Sequence, residues 1–230
     1  MHLAMNDLYI ITTAICRPKL HTKCLLSFAD DLRSQKINAH WFLNIDPALG
    51  DHSKTYENFK TILKGISHTV TSPNEPCFFT AANGLIHQCY NEISKLNEGG
   101  YVFWLEDDKK YDISFNIQEL IDSDYDYIGF HPNHLFEFSF HPSMWSKQFF
   151  LDHVYQPYVL NNGKKQDPEQ LLIDYHRNKR KENKDHFKDV NRIHFNGVFD
   201  HVGREWNEQN NIKKWNKSKQ GSSISYENIS

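Results

Sequence analysis

The sequence predicts an α/β protein: a mainly parallel sheet with helices on both faces. Three observations lead there. Short apolar runs rich in β-branched and aromatic residues read as buried strands. Between them lie stretches with apolar residues every three or four positions, the helical period. The two kinds alternate through the first half of the chain, which implies parallel strands joined by right-handed crossovers. At 230 residues the chain suits one large domain with a substantial core.

Leu8–Ile15 is the first strand. Pro18 then suits the opening turn of a helix, and Leu20, Cys24, Phe28 and Leu32 repeat every four residues along it. A second strand over 38–45 is stopped by Asp46-Pro47. A helix over 53–64 carries Tyr56, Phe59 and Leu63 on one face, and a short third strand over 68–71 is closed by Ser72-Pro73. The helix over 78–96 has a stripe of Ala81, Leu85, Cys89 and Ile93, and a fourth strand follows at 102–105.

The regularity then breaks. Two further strands are expected at 127–130 and 137–140, a helix at 144–154 and a loop at 157–165. Asp167-Pro168 opens another helix, with Asp167 as N-cap and Pro168 in the first turn. The run 179–189 is a charged helix end and loop. Residues 1–207 are expected to form a single domain with halves at about 6–112 and 113–207, followed by a polar, extended or partly disordered tail over 208–230.

Composition narrows the partners. A formal net charge of −3 gives no reason to invoke nucleic acid or an anionic membrane. No stretch approaches the roughly 20 apolar residues that span a bilayer, and the early apolar run lacks a signal cleavage site. Cys16, Cys24, Cys77 and Cys89 have no Cys-x-x-Cys spacing and are expected as free thiols, with the cytoplasm as the compartment. Aromatic residues make up 14% of the chain, enough to fill a core and leave rings for a binding surface.

Chemistry concentrates at the end of the fourth strand, where an apolar run meets Glu106-Asp107-Asp108. Three adjacent carboxylates repel one another, and a hard divalent cation such as Mn²⁺ or Mg²⁺ relieves that repulsion with oxygen ligands. In open α/β sheets ligands bind beyond the carboxyl ends of the strands, where this triplet falls. The same triplet also reads as a solvated acidic turn.

Leu105-Glu106-Asp107-Asp108 resembles the Leu-Glu-Asp-Asp metal motif of the GT-A glycosyltransferases, and Phe199-Asp200-His201-Val202-Gly203 resembles their late Phe-x-His-Val-Gly segment. Together with Glu169-Gln170-Leu171-Leu172, an acid opening a helix, these motifs are most similar to the N-acetylglucosaminyltransferase IV type. The resemblance implies a GT-A-like fold with a nucleotide-binding first half and an acceptor-binding second half. It implies a metal-dependent enzyme that moves a hexosyl or N-acetylhexosaminyl group from a nucleotide-diphosphate sugar to the hydroxyl of a glycan, with inversion. A UDP-sugar is the donor the family favours. Without a signal anchor the chain departs from the Golgi members, so a bacterial or viral glycan is expected as acceptor in place of theirs.

On this reading Asp108 ligates the metal directly and His201 completes the coordination. Asp107 ligates through water or holds the ribose, and Glu106 orients the others. Glu169 deprotonates the acceptor hydroxyl, with Asp167 as second candidate; both acids equally suit an ordinary helix start. Thr12, Thr13 and Arg17 after the first strand, and Asn83 in the third helix, are expected to contact the nucleotide. Gly84 hints at close packing there, and Trp145 is a candidate sugar platform with a core role as its alternative. Two rivals stand beside this reading. One is a Mg²⁺-dependent nuclease, for which Asp107-Asp108-Lys109 offers an Asp-x-Lys half-motif. The other is a module that binds sugar nucleotides without turnover.

Overall fold

The computed structural model describes residues 8–74, 77–97, 99–111, 115–131, 140–160, 167–209, 212–214 and 226–228. Its first half follows the alternation: β1 (Leu8–Ile15), α1 (Pro18–Ser34), β2 (Ala39–Asp46), α2 (His52–Ile62), β3 (Ser67–Thr71), α3 (Phe78–Ile93) and β4 (Tyr101–Trp104). Then come β5 (Lys109–Tyr111), α4 (Ile117–Ile121), β6 (Tyr127–Gly129), β7 (Ser143–Ser146) and α5 (Lys147–Phe149). A π-helical turn, Phe150–Tyr155, leads into α6 (Gln156–Leu160). After it lie α7 (Pro168–Glu182), β8 (Arg192–His194), β9 (Phe199–His201), α8 (Gly203–Gln209), β10 (Ile212–Lys214) and β11 (Tyr226–Asn228).

The main sheet has seven strands in the order β3-β2-β1-β4-β7-β6-β8, and only β7 runs against the rest. Strand order reverses between β1 and β4, so the crevice beyond their carboxyl ends is the topological switch point where such sheets bind ligands. Alternation along the strands feeds two cores. Leu8, Ile10, Trp41, Leu43 and Phe103 pack with Phe28 and Leu32 of α1 on one face. Tyr9, Ile11, Val102 and Trp104 pack with Leu85, Cys89 and Ile93 of α3 on the other. The α/β class and mainly parallel sheet expected from the sequence are therefore what the chain adopts.

The second half corrects two expectations. Residues 143–146 form a strand where a helix was expected from 144. Met144 and Trp145 point into opposite cores, a period of two, and they pair with Phe103 and Val102 of β4. The helix begins only at Lys147, where the Ser146 hydroxyl caps the Phe149 amide at 3.2 Å. Trp145 is fully buried in this arrangement, so it serves the core and not a sugar. Residues 157–160 continue a helix where a loop was expected. The strand expected at 137–140 lies, apart from Phe140, outside the described residues.

Beyond 208, β10 pairs antiparallel with β11, the one described pairing in the expected tail. A second two-stranded sheet joins β5 to β9 with Lys109 opposite His201. The four cysteines are free thiols. Among the described residues no helix is long and apolar enough to cross a membrane.

Candidate active site

The acidic triplet splits three ways. The strand ends at Trp104 and the triplet leads into a turn at 107–108, so its three side chains leave in different directions. Asp107 turns under the start of α1. There it is buried, with Arg17 Nη2 at 2.8 Å, His21 Nε2 at 3.0 Å and the Ile15 amide at 3.4 Å. Burial alone would raise its pKa, but the Arg17 charge and the His21 contact outweigh that and hold the carboxyl well below the usual range. The Arg17 guanidinium also lies 5.6 Å from the Trp206 ring centroid, which ties α8 to the same point. Asp107 and Arg17 thus lock the ends of β4 and β1 together.

Asp108 faces the other way. Its Oδ2 is 3.1 Å from His201 Nε2, an approach set by the β5–β9 register. The Val202 amide donates to the Asp108 carbonyl at 3.2 Å, which fastens the two segments. Gly203 is required by this packing, because a Cβ there would stand 2.7 Å from the Asp108 Cβ. Both side chains keep access to solvent, 19% for Asp108 and 48% for His201. One carboxylate and one imidazole suit Mn²⁺ or Mg²⁺ whose remaining positions come from phosphate oxygens and water. The residues therefore fit a divalent ion with two protein ligands.

Glu106 takes the third direction. It pairs with buried Lys109 at 3.2 Å and meets His141 Nδ1 at 3.5 Å. The Glu106 contact raises the His141 pKa, and the nearby negative charge of Glu169 adds to it. Glu169 sits in the first turn of α7, its Oε1 accepting from the Phe140 amide at 2.8 Å. Asp167 is the N-cap of that helix, with one oxygen accepting from the Glu169 and Gln170 amides at 3.0 and 3.3 Å. His141 thus sits beside Glu106, within reach of the Glu169 charge at the start of α7.

The remaining sequence candidates sit farther inside. Thr12 is fully buried and its hydroxyl accepts from Trp41 Nε1 at 3.0 Å, so it belongs to the core. Thr13, one residue on, is half-buried on the α3 face. Arg17 is committed to Asp107 and Trp206 in place of an open surface. Asn83 accepts from the Tyr158 hydroxyl at 3.0 Å, joining α3 to α6. Gly84 has open space where a Cβ would stand, so the close packing expected there is not made within the described chain. For the nuclease alternative, the sheet is not a meander, and Lys109 of the Asp-x-Lys run is paired with Glu106.

In the sequence Asp46 reads only as the residue that, with Pro47, stops the second strand. It ends β2 opposite Ile15, beside the same crevice, and is buried. Burial pushes its pKa up to about 6; a hydrogen bond from the Cys77 backbone partly opposes this, and the Asp107 charge adds to the rise. An acid at the carboxyl end of a central strand was the available signal. His21 carried none, since a contact across 86 residues leaves no local pattern.

No protein-family model matches the sequence, and no curated protein does. Solved structures do match. The nucleoside-diphosphate-sugar pyrophosphorylase from Vibrio cholerae RC9 aligns at a TM-score of 0.50 and 12% identity, over 87% of this chain and 98% of that one. The mannosyltransferase PcManGT from Pyrobaculum calidifontis, in complex with GDP-Man and Mn²⁺, aligns at 0.48 and 9%, over 84% of this chain and 56% of that one. A putative nucleotide-diphospho-sugar transferase from Desulfovibrio desulfuricans G20 aligns at 0.43 and 14%, over 84% and 80%. At these identities the likeness is one of fold, and the Vibrio alignment carries it over nearly the whole of both chains.

Proposed function

We propose that this chain is a metal-dependent glycosyltransferase that moves a sugar from a nucleotide-diphosphate donor to an acceptor hydroxyl with inversion. The observation that carries the proposal is the Asp108–His201 pair at the switch point, joined 3.1 Å apart by chain segments remote in sequence. Asp108 and His201 are assigned as the ligands of Mn²⁺ or Mg²⁺. That ion, when bound, supplies positive charge to the departing diphosphate.

Every other role falls to the chain itself. Asp107 does not reach the ligand in this reading; it holds Arg17 and so fixes the strand ends from which Asp108 projects. Glu106, held by Lys109 and His141, places negative charge between the metal pair and α7. Glu169 takes the proton from the acceptor hydroxyl, and the Phe140 amide orients its carboxylate for that transfer. Asp167 caps α7 and holds Glu169 at its first turn.

A thermal-shift panel of UDP- and GDP-sugars with and without Mn²⁺ tests the proposal, followed by analysis of the turned-over donor. The family resemblance favours UDP, while GDP-Man is the molecule in the Pyrobaculum structure. Mn²⁺-dependent stabilisation by one donor class, with slow release of nucleoside diphosphate, is the expected result. Release of a nucleoside triphosphate on adding pyrophosphate would instead make it a nucleotidyltransferase. Binding without turnover toward any acceptor or water would make it a binding module.

A further inference from the structure

We propose that His153, His176 and His186 form a second metal site, separate from the acidic triplet, that binds one Zn²⁺ ion. His153 comes from the π-helical turn, His176 from α7 and His186 from the turn that follows α7. One ring nitrogen from each lies within 4.8 Å of the other two. His176 Nδ1 and His186 Nε2 are already 3.1 Å apart. Nitrogen ligands at the usual zinc distance stand about 3.3 Å apart on a tetrahedron, from a Zn–N bond of about 2.0–2.1 Å. Rotation of the half-buried His153 ring supplies the remaining approach.

The chemistry around the cluster is that of a ligand set. His176 Nε2 is 2.7 Å from the His153 carbonyl, and a carbonyl only accepts, so Nε2 carries the proton and Nδ1 presents its lone pair. A metal-bound histidine is typically held this way, its other nitrogen donating to a backbone oxygen. The Phe187 ring packs on them at 4.3 Å from His186, 4.8 Å from His176 and 5.1 Å from His153. Phe187 reaches that position with φ of 78°, a left-handed backbone that a bulky residue seldom adopts. His153 lies in a π-helical turn, a rare form that recurs at functional sites.

A cavity of about 350 Å³ opens onto His153 and His186 and is also lined by Asp126, Asp152, Asp185 and Asp189. The fourth zinc position faces this cavity and is filled by water or by one of the carboxylates. Zinc there ties the turn after α7 to the π-helical turn and leaves the acidic triplet untouched. Three imidazoles hold Zn²⁺ with no nucleotide present, whereas the Asp108–His201 pair supplies only two ligands and takes the rest of its shell from phosphate, so the two sites separate by ligand number.

The full chain, stripped with chelator, is titrated with Zn²⁺ and separately with Co²⁺, and metal content, melting temperature and the visible spectrum are read. The proposal expects one equivalent of Zn²⁺, a raised melting temperature and the d–d absorption of tetrahedral cobalt. His153→Gln and His186→Gln, at half-buried positions that tolerate polar replacement, should each weaken uptake at least tenfold, with circular dichroism unchanged. The double variant Asp108→Ala/His201→Ala should bind Zn²⁺ like the wild type, which separates this site from the proposed active site. Uptake that survives both histidine variants, or that vanishes in Asp108→Ala/His201→Ala, overturns the proposal. So does a wild type that takes up no Zn²⁺, which would leave His176 and His186 as a hydrogen-bonded pair only.

Discussion

Asp108 and His201 are 93 positions apart in sequence and 3.1 Å apart in space. Three features produce that approach: the turn after β4, the β5–β9 register that sets Lys109 opposite His201, and the missing side chain at Gly203. The adjacent Asp107 shares the turn but neither of the other two. It points under α1 into a buried pair with Arg17. Two neighbouring acids of one motif therefore divide the labour, one building the strand end and the other facing the crevice.

That division predicts opposite phenotypes for the two acids. Asp107→Asn leaves the Arg17 guanidinium buried without its counter-charge, and breaking such a pair costs about 3–5 kcal/mol. Because the folded pKa of Asp107 is depressed, its contribution is fully present above the ordinary carboxylate pKa of 3.8 and fades only as pH falls below it. Urea unfolding at neutral pH should show the full loss for Asp107→Asn and under ~1 kcal/mol for Asp108→Ala, a partly exposed side chain. Equal losses would put both acids in the same role.

Gly203→Ala is expected to displace Asp108, since the added methyl collides with the Asp108 Cβ. Mn²⁺ affinity in the presence of donor should fall at least tenfold, about 1.4 kcal/mol, and the melting temperature should fall as well, since the Asp108 Cβ moves only with its backbone. Calorimetric titration measures the first and thermal melting the second. Wild-type affinity would mean that the Asp108 position is not what binds the ion.

Much of the fold was legible because it rests on local periodicity. The stripes of α1 and α3, the strand Leu8–Ile15 and the Asp167-Pro168 helix start all appear as expected. The miss at β7 has a physical cause: a four-residue strand carrying Met144 and Trp145 is too short to display its period against the helix beginning next to it. The approach of Asp108 to His201 and the place of Glu169 in the first turn of α7 follow short motifs that the sequence displays. The sequence was not legible at Arg17, Thr12 or Trp145, whose burial is decided by distant neighbours.

Asp46 should make stability depend on pH with an uncommon sign. Its pKa is raised from 3.8 to about 6 on folding, so the folded state holds the proton more tightly than the unfolded chain. Stability should therefore fall as pH rises from about 4 through about 6, and Asp46→Asn, which mimics the protonated form, should remove that fall. At ~1.4 kcal/mol per pKa unit the gain at pH 8 is on the order of 3 kcal/mol. Unfolding free energies of both proteins at pH 4.5 and pH 8 check this, and a mutant no more stable than wild type at pH 8 would contradict it.

Glu169→Gln should keep donor and metal binding and lose transfer by about 10²–10⁴, since the amide cannot take a proton. Asp167→Asn keeps a capping oxygen and should cost only a few tenths of a kcal/mol and little activity. Transfer rates for the two variants, measured with the donor found in the panel, decide between them. An active Glu169→Gln beside an inactive Asp167→Asn would exchange their roles.

The central claim is that Asp108 and His201 together hold the divalent ion that receives the diphosphate, and Mn²⁺ titration followed by electron paramagnetic resonance tests it most directly. With a saturating nucleoside diphosphate, the wild type should bind one Mn²⁺, and Asp108→Ala and His201→Ala should each lose at least tenfold in affinity. The double variant should lose less than the sum of the two, because both act on one ion. Acidification should weaken binding in the wild type, since ligation needs an ionised carboxylate and a neutral imidazole. Wild-type Mn²⁺ affinity in both single variants would contradict the claim and remove the metal from this end of the sheet.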